Sequence, residues 1–316
     1  MILRLAFALA VSAPAAAEAG SLSAIRDSYP SLSPDGRALL FHSNRSGRQA
    51  IWIAAADGSS PRILFDDPAA GDDPGTPSWS PDGGSIGFAM RPQGARDPNE
   101  SDIYVMAADG SHVRRLTDAP GDDSHPHWSR DGRIFFNSAR ATPDRAAEWS
   151  RQWIDIYSMA ADGSDVRRHT DCRSVCTYPV PSPDGRSVAH RHVADGPGLT
   201  WTLAAGMRNS EVVVTSLLGG GEVNVSNSRA YDGWPAWSPD GRWLVFASNR
   251  DMVAYAGQIF AVRPDGSGLH TLTSGPWSRV QPSFSADGTR ILVYESMENA
   301  DFELGHIASI AVTLPD

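Results

Sequence analysis

A phrase of about fifty residues is written six times along this chain, and that repetition limits what it can fold into more than any other feature. The phrase runs Pro-x-(aromatic or apolar)-Ser-Pro-Asp-Gly, then a short apolar run, then a second run ending in Asp-Gly-Ser. Its Asp-Gly pairs begin at Asp35, Asp82, Asp131, Asp184, Asp240 and Asp287, spaced 47, 49, 53, 56 and 47 residues apart. A period in this range marks a repeat architecture and outranks local helix or strand propensity.

In the second copy, Ser80-Pro81-Asp82-Gly83 suits a type I turn, with proline presetting φ and glycine accepting the exit geometry. Ile86–Ala89 reads as a short strand, and Asp102–Met106 is rich in β-formers. Asp109-Gly110-Ser111 signals a hairpin, and Val113–Thr117 closes the unit. Each copy therefore predicts four short strands, A to D. Strand A recurs as Pro30–Ser33, Pro126–Ser129, Pro179–Ser182, Pro235–Ser238 and Pro282–Ser285. The fourth copy departs most, with Leu217–Gly221 in place of its C–D turn. A four-stranded sheet of about 47 residues is too small to bury a core alone. Radial stacking removes that difficulty. The expected fold class is all-β, a six-bladed β-propeller of four-stranded antiparallel blades. Ser21–Asp27 stands where strand D stands in the other copies, so the N-terminal strand is expected to join the last blade and close the ring.

The phrases Trp79-Ser80-Pro81-Asp82-Gly83, Asp102-Ile103-Tyr104-Val105-Met106 and Arg114-Arg115-Leu116-Thr117 resemble the propeller repeats of the TolB family, and the resemblance runs over the whole mature chain. It implies a periplasmic propeller of the TolB (WD-like) type. TolB itself carries a further α/β domain ahead of its propeller, for which this chain has no room, so a propeller alone is expected.

Met1–Arg4 is a short basic start, Leu5–Val11 is apolar, and Ala17-Glu18-Ala19 precedes Gly20 as a small-x-small cleavage site. Residues 1–19 therefore read as a secretory signal peptide and 20–316 as the propeller. The apolar run falls far short of the roughly 20 residues that span a bilayer, and no other stretch approaches that length. A periplasmic monomer is the expectation. In an exported chain the two cysteines, Cys172 and Cys176, are expected to form a disulfide. The net charge of −10 with no compensating Lys/Arg cluster argues against nucleic acid and anionic membrane surfaces.

Strand order puts the A–B and C–D turns on one face of the disc and the B–C and D–A connections on the other. The second face collects the long segments Arg91–Ser101, Arg140–Trp153, Arg191–Ser210, Arg250–Gly257 and Glu295–Gly305, together with the cysteine loop. Long loops on a rigid scaffold are a usual place for binding. Trp149, Trp153, Trp201 and Trp277 lie off the strand template near this face and are candidate contacts, since a large apolar body with one N–H donor suits interfaces. The residues before each strand-A proline are Tyr29, Thr76, His125, Tyr178, Trp234 and Gln281, expected to line the channel mouth as a pocket. Asp27, Asp73, Asp123 and Asp232 precede several of them and read as a solvated acidic rim or, less simply, a cation site.

A Gly-x-Ser-x-Gly elbow, a P-loop and an EF-hand spacing are all absent from the sequence. The function expected is therefore a non-catalytic binding or scaffold module without a cofactor, holding an envelope protein or peptide segment, or a glycan. The alternative is a metal-assisted carbohydrate-active enzyme, resembling propeller lyases that act on acidic oligosaccharides. It would use a divalent metal ion held by His125, His190, His192 and His306, with Gln281 at the same mouth. Loop carboxylates Asp144, Glu148, Glu295, Glu298 and Glu303 could supply a glycosidase pair if two of them stood at the right separation.

Overall fold

The structure is a computed structural model that describes residues 25–67, 74–95, 100–147, 151–193, 210–250, 257–297 and 305–315. Each phrase of the sequence becomes one antiparallel sheet with its strands in chain order. The first blade is β1 (Asp27–Leu32), β2 (Ala38–Ser43), β3 (Ala50–Ala55) and β4 (Arg62–Phe65). The second is β5 (Gly75–Trp79), β6 (Ser85–Met90), β7 (Asp102–Ala107) and β8 (Arg114–Arg115). The third is β9 (Asp123–Trp128), β10 (Ile134–Ser138), β11 (Asp155–Met159) and β12 (Arg167–Arg168). The fourth is β13 (Val175–Pro181), β14 (Ser187–Val193), β15 (Ser210–Ser216) and β16 (Glu222–Asn224). The fifth is β17 (Asp232–Trp237), β18 (Leu244–Ser248), β19 (Gln258–Val262) and β20 (His270–Thr271). The sixth is β21 (Trp277–Phe284), β22 (Arg290–Met297) and β23 (Gly305–Ala311), three strands among the described residues.

The A–B turns show why the Ser-Pro-Asp-Gly phrase is repeated. In all six, the glycine N–H donates to the serine carbonyl three residues back at 2.8–3.0 Å. The serine hydroxyl donates to the aspartate carboxylate at 2.5–2.6 Å. The glycines sit at φ of 70° to 83°, where a Cβ would be strained. The serine bond helps hold the Asp240 and Asp287 carboxyls down at about 2.

No blade buries its faces alone, and the core lies between blades. Leu40, Ile51, Ile86 and Phe88 join the first to the second, and Val214, Trp237 and Phe246 join the fourth to the fifth. Ring closure uses the same kind of contact. Leu39 and Phe41 of the first blade pack with Leu292 and Ile307 of the sixth. Arg26 bridges Gly305 in parallel, as Ile154 bridges Val175 and Ser210 bridges Tyr231 at other blade boundaries. The N-terminal strand thus meets the last blade, with Asp27 already paired to Ser43 inside the first sheet. The remainder of the expected closing strand and the expected leader lie outside the described residues.

Candidate functional site

The six residues before the strand-A prolines come together at the centre of the disc, and one backbone device puts them there. Each first strand carries a bulge against its second strand, between Ser28 and Ser31 in the first blade and at the matching place in the other five. The bulged residue is left-handed every time: Thr76, Tyr29, Trp234, His125, Gln281 and Tyr178 have φ between 49° and 57°. Non-glycine residues are uncommon there, because Cβ crowds the backbone. Six-fold repetition makes this strain part of the architecture, and the bulge re-aims the side chain into the channel. What differs from blade to blade is the chemistry it presents.

Aromatic contacts run round this ring. The His125 and Tyr178 rings lie 4.1 Å apart edge to face, Tyr178 and Trp234 5.7 Å, and Tyr29 and His125 6.4 Å. Gln281 Oε1 accepts the Tyr29 N–H at 2.9 Å, tying the sixth blade to the first. Two ring residues, His125 and Tyr29, are held in their neutral forms. Burial pushes the His125 imidazole down to about 3, against the opposing hydrogen bond from Asn137. Burial, helped by the neighbouring Tyr178, raises the Tyr29 phenol well above its ordinary value. An imidazole so reluctant to take a proton is a poor general base. Thr76 Oγ1 and Trp234 Nε1 are buried without a partner among the described protein atoms.

A second tier supports the ring and is invisible to motif reading. The strand-B residues paired with the position before each ring residue are His42, Ala89, Asn137, Arg191, Ala247 and Tyr294. Asn137 Oδ1 meets His125 Nδ1 at 2.9 Å and accepts the Tyr178 N–H at 3.4 Å. The Arg191 guanidinium stacks over the Tyr178 ring at 5.0 Å and donates to Tyr231 Oη at 2.7 Å. The sequence signal exists: these residues follow the ring residue by 13 positions in five blades and 12 in the third. Only a pairing register turns that spacing into a contact.

The channel holds a cavity of ≈ 470 Å³ lined by the six first strands, from the ring residues to the Ser-Pro turns. Its wall is prolines, serines and the indoles of Trp79, Trp128 and Trp237, and Arg130 is the one charged side chain lining it among the described residues. Pro34, Pro81, Arg130, Pro239 and Ala286, at its turn end, are exposed, whereas the ring residues are half-buried or buried. The cavity therefore extends from the ring to the short-turn face. Of the two expected surfaces, the long-loop face and the channel mouth, the cavity belongs to the channel, and it is lined as far as the short A–B turns.

The three described acidic residues near the ring are buried ion-pair partners rather than a solvated rim or a cation site. Asp27, Asp123 and Asp232 are 4 %, 0 % and 0 % exposed. They pair with Arg45, Arg140 and Arg250 at 2.5, 2.8 and 3.0 Å. Each arginine lies over aromatic rings of its own blade, as Arg250 does over Phe246 and Phe260. Asp73 lies outside the described residues.

The four histidines of the alternative metal reading are not brought together. His125 is in the ring, and His190 faces away from it, its Nε2 2.9 Å from Thr215 Oγ1. His192 meets Ser174 Oγ at 2.9 Å, and His306 stands 3.6 Å from Glu295. Alternation explains the split: in His190-Arg191-His192 it is the arginine that turns toward the ring. Glu295 is committed to Arg279 at 2.6 Å. Asp144 caps a turn through the Ala146 N–H, and Glu148, Glu298 and Glu303 lie outside the described residues. Of the loop tryptophans, Trp153 is half-buried under Arg173 and Trp277 packs edge-on against His306, while Trp149 and Trp201 lie outside the described residues. Cys172 and Cys176 form the expected disulfide.

With this geometry in place, the comparisons with known proteins are consistent. The TolB beta propeller domain family matches residues 69–217. An uncharacterized protein of Agrobacterium fabrum, Atu1656, is 35 % identical over 164 residues, half of this chain and 48 % of that protein. The Tol-Pal system protein TolB of Anaeromyxobacter dehalogenans is 36 % identical over 99 residues, 31 % of this chain and 21 % of that one. The crystal structure of TolB from Acinetobacter baumannii superposes with a TM-score of 0.57 at 22 % identity, covering 76 % of this chain and 52 % of that one. The chain spans between about a fifth and a half of the curated relatives it matches.

Proposed function

We propose that this TolB-type β-propeller is a non-catalytic binding module of the periplasm that takes a protein segment of the cell envelope into its central channel. The carrying observation is the ≈ 470 Å³ cavity with a floor of neutral aromatic and amide side chains. Apolar walls with a few oriented polar groups are the usual lining of a ligand pocket. The ring Tyr29, Thr76, His125, Tyr178, Trp234 and Gln281 is the contact surface. The segment enters past the Ser-Pro-Asp-Gly turns, where Arg130 supplies a single cation. Trp153 and Trp277 on the opposite face are half-buried, with their rings engaged by Arg173 and His306, and supply less free surface. A resident metal is not required by any of these groups. No helix among the described residues is long and apolar enough to cross a membrane, and the leader read from residues 1–19 supplies the route of export.

The test is capture from envelope extract on the immobilised chain, comparing wild type, Trp234→Ala and Trp277→Ala. Protein capture lost in Trp234→Ala and kept in Trp277→Ala is expected. Capture indifferent to Trp234→Ala, or retention of glycans alone, defeats the proposal.

A further inference from the structure

We propose that Cys172, Cys176 and His192 form a binding site for a soft divalent metal ion of the zinc class, closed while the cysteines are bonded to each other and opened by reduction. Their donor atoms all lie within 4.8 Å of one another, the one such group of three potential ligands among the described residues. Two thiolates and one imidazole, with a fourth position for water, are a donor set that zinc accepts in tetrahedral geometry. Sulfurs joined in a disulfide carry no thiolate to offer, so the bond and the metal exclude each other.

The three residues come from two elements that packing holds together independently of the bond. Cys172 lies in the connection from β12 to β13, Cys176 is on β13, and His192 is its cross-strand partner on β14. Asp155 Oδ1 accepts the Cys172 N–H at 2.7 Å and the Thr170 hydroxyl at 2.9 Å. The Cys176 N–H donates to Ile154 O at 2.8 Å, and Ser174 O accepts the Ile154 N–H at 2.8 Å. Cys176 is fully buried against Phe135, Ile156 and Val188. Ser174 Oγ, 2.9 Å from His192 Nε2, orients the imidazole, as hydrogen-bonding neighbours of metal ligands do. After the S–S bond breaks, these contacts keep the donors near one another. Cys172 is half-exposed, so its sulfur is the one a reductant reaches.

The step balances with a phosphine as reductant. The phosphorus gives an electron pair to the S–S bond and takes up the oxygen of a water, whose two protons end on the two sulfurs. Metal binding then displaces those protons to solvent, which leaves two thiolates on the ion. A dithiol would supply the same two electrons and protons, but it would also compete for the metal.

Cobalt(II) is the probe, because thiolate-to-cobalt charge transfer reports sulfur ligation in a chain with nine histidines. The phosphine-reduced chain is expected to take up one equivalent with a charge-transfer band, and the oxidised chain to show no band. His192→Ala should weaken binding at least about 100-fold, beyond what losing a hydrogen-bonding neighbour produces, while His306→Ala leaves it unchanged. Cys176 is buried and its substitution can disturb the fold, so reduced against oxidised wild type carries the test with His192→Ala. Absence of the band in the reduced chain overturns the proposal, as does unchanged affinity in His192→Ala. Loss of the far-ultraviolet strand signal on reduction also overturns it, since the loop would then not hold the donors in place.

Discussion

Removing the charge of Asp232 tests whether the acidic residues around the channel are buried partners rather than a rim. The Asp232 carboxylate is wholly buried and accepts from Arg250 Nη2 at 3.0 Å and Ser228 Oγ at 2.6 Å. Asp232→Asn keeps the volume and deletes only the charge, leaving a guanidinium whose side chain is 13 % exposed without its counter-ion. Breaking a buried pair from one side costs about 3–5 kcal/mol. The lower end applies, because Arg250 keeps Ser226 O, Ser248 Oγ and the faces of Phe246 and Phe260. About 3 kcal/mol at roughly 2 °C per kcal/mol for a chain of this size gives a melting point about 6 °C lower. Asp232→Asn combined with Arg250→Met removes both charges and should recover at least about 2 kcal/mol, since an apolar pair of similar volume is tolerated where half an ion pair is not. The assay is thermal and urea unfolding of all four members of the cycle, repeated at high salt, which screens an exposed pair far more than a buried one. A solvated acidic rim predicts that Asp232→Asn is neutral or stabilising. That result, or a double variant whose loss equals the sum of the singles, would refute the reasoning.

Two further outcomes follow from the structure. Burial pushes the Asp122 carboxyl up to about 7, with the Asp123 charge adding and the Ser124 hydroxyl opposing. The folded chain then holds a proton that the unfolded chain releases above about pH 4, so this group's stability contribution is lost as pH rises toward 7. Asp122→Asn should gain on wild type by roughly 4 kcal/mol between pH 4 and 8, about three units at about 1.4 kcal/mol each, read from urea midpoints; a difference that does not change with pH contradicts it. At Gly87 a Cβ would stand 3.0 Å from Trp128 Nε1 of the next blade. Gly87→Ala should therefore cost about 1–3 kcal/mol by wedging the blades apart, measured by thermal melting, and a neutral substitution would show that Trp128 is free to move.

The fold was legible because its signals are local. Ser80-Pro81-Asp82-Gly83 closes its own turn whatever surrounds it, and six such turns at a near-constant spacing leave few architectures. The pre-proline residues were legible for the same reason, since proline fixes where the bulge falls. The acidic residues misled because nothing local tells a solvated carboxylate from a buried one. Asp123 and Arg140 are 17 positions apart, and their ion pair exists only once β9 lies beside β10. The histidines misled through parity: His190 and His192 share a side of β14, and the sequence does not say which side.

By itself the sequence determined the repeat, the blade count, the turn chemistry, the disulfide and the six residues that meet on the axis. Each rests on bonds made within a few residues or on a period that can be counted. The tertiary structure decided the direction in which the cavity opens, the burial of the aspartates, the second tier that holds the ring, and the approach of His192 to the cysteines. Those depend on strand register and on blade-to-blade packing, where one step along a strand exchanges core for solvent.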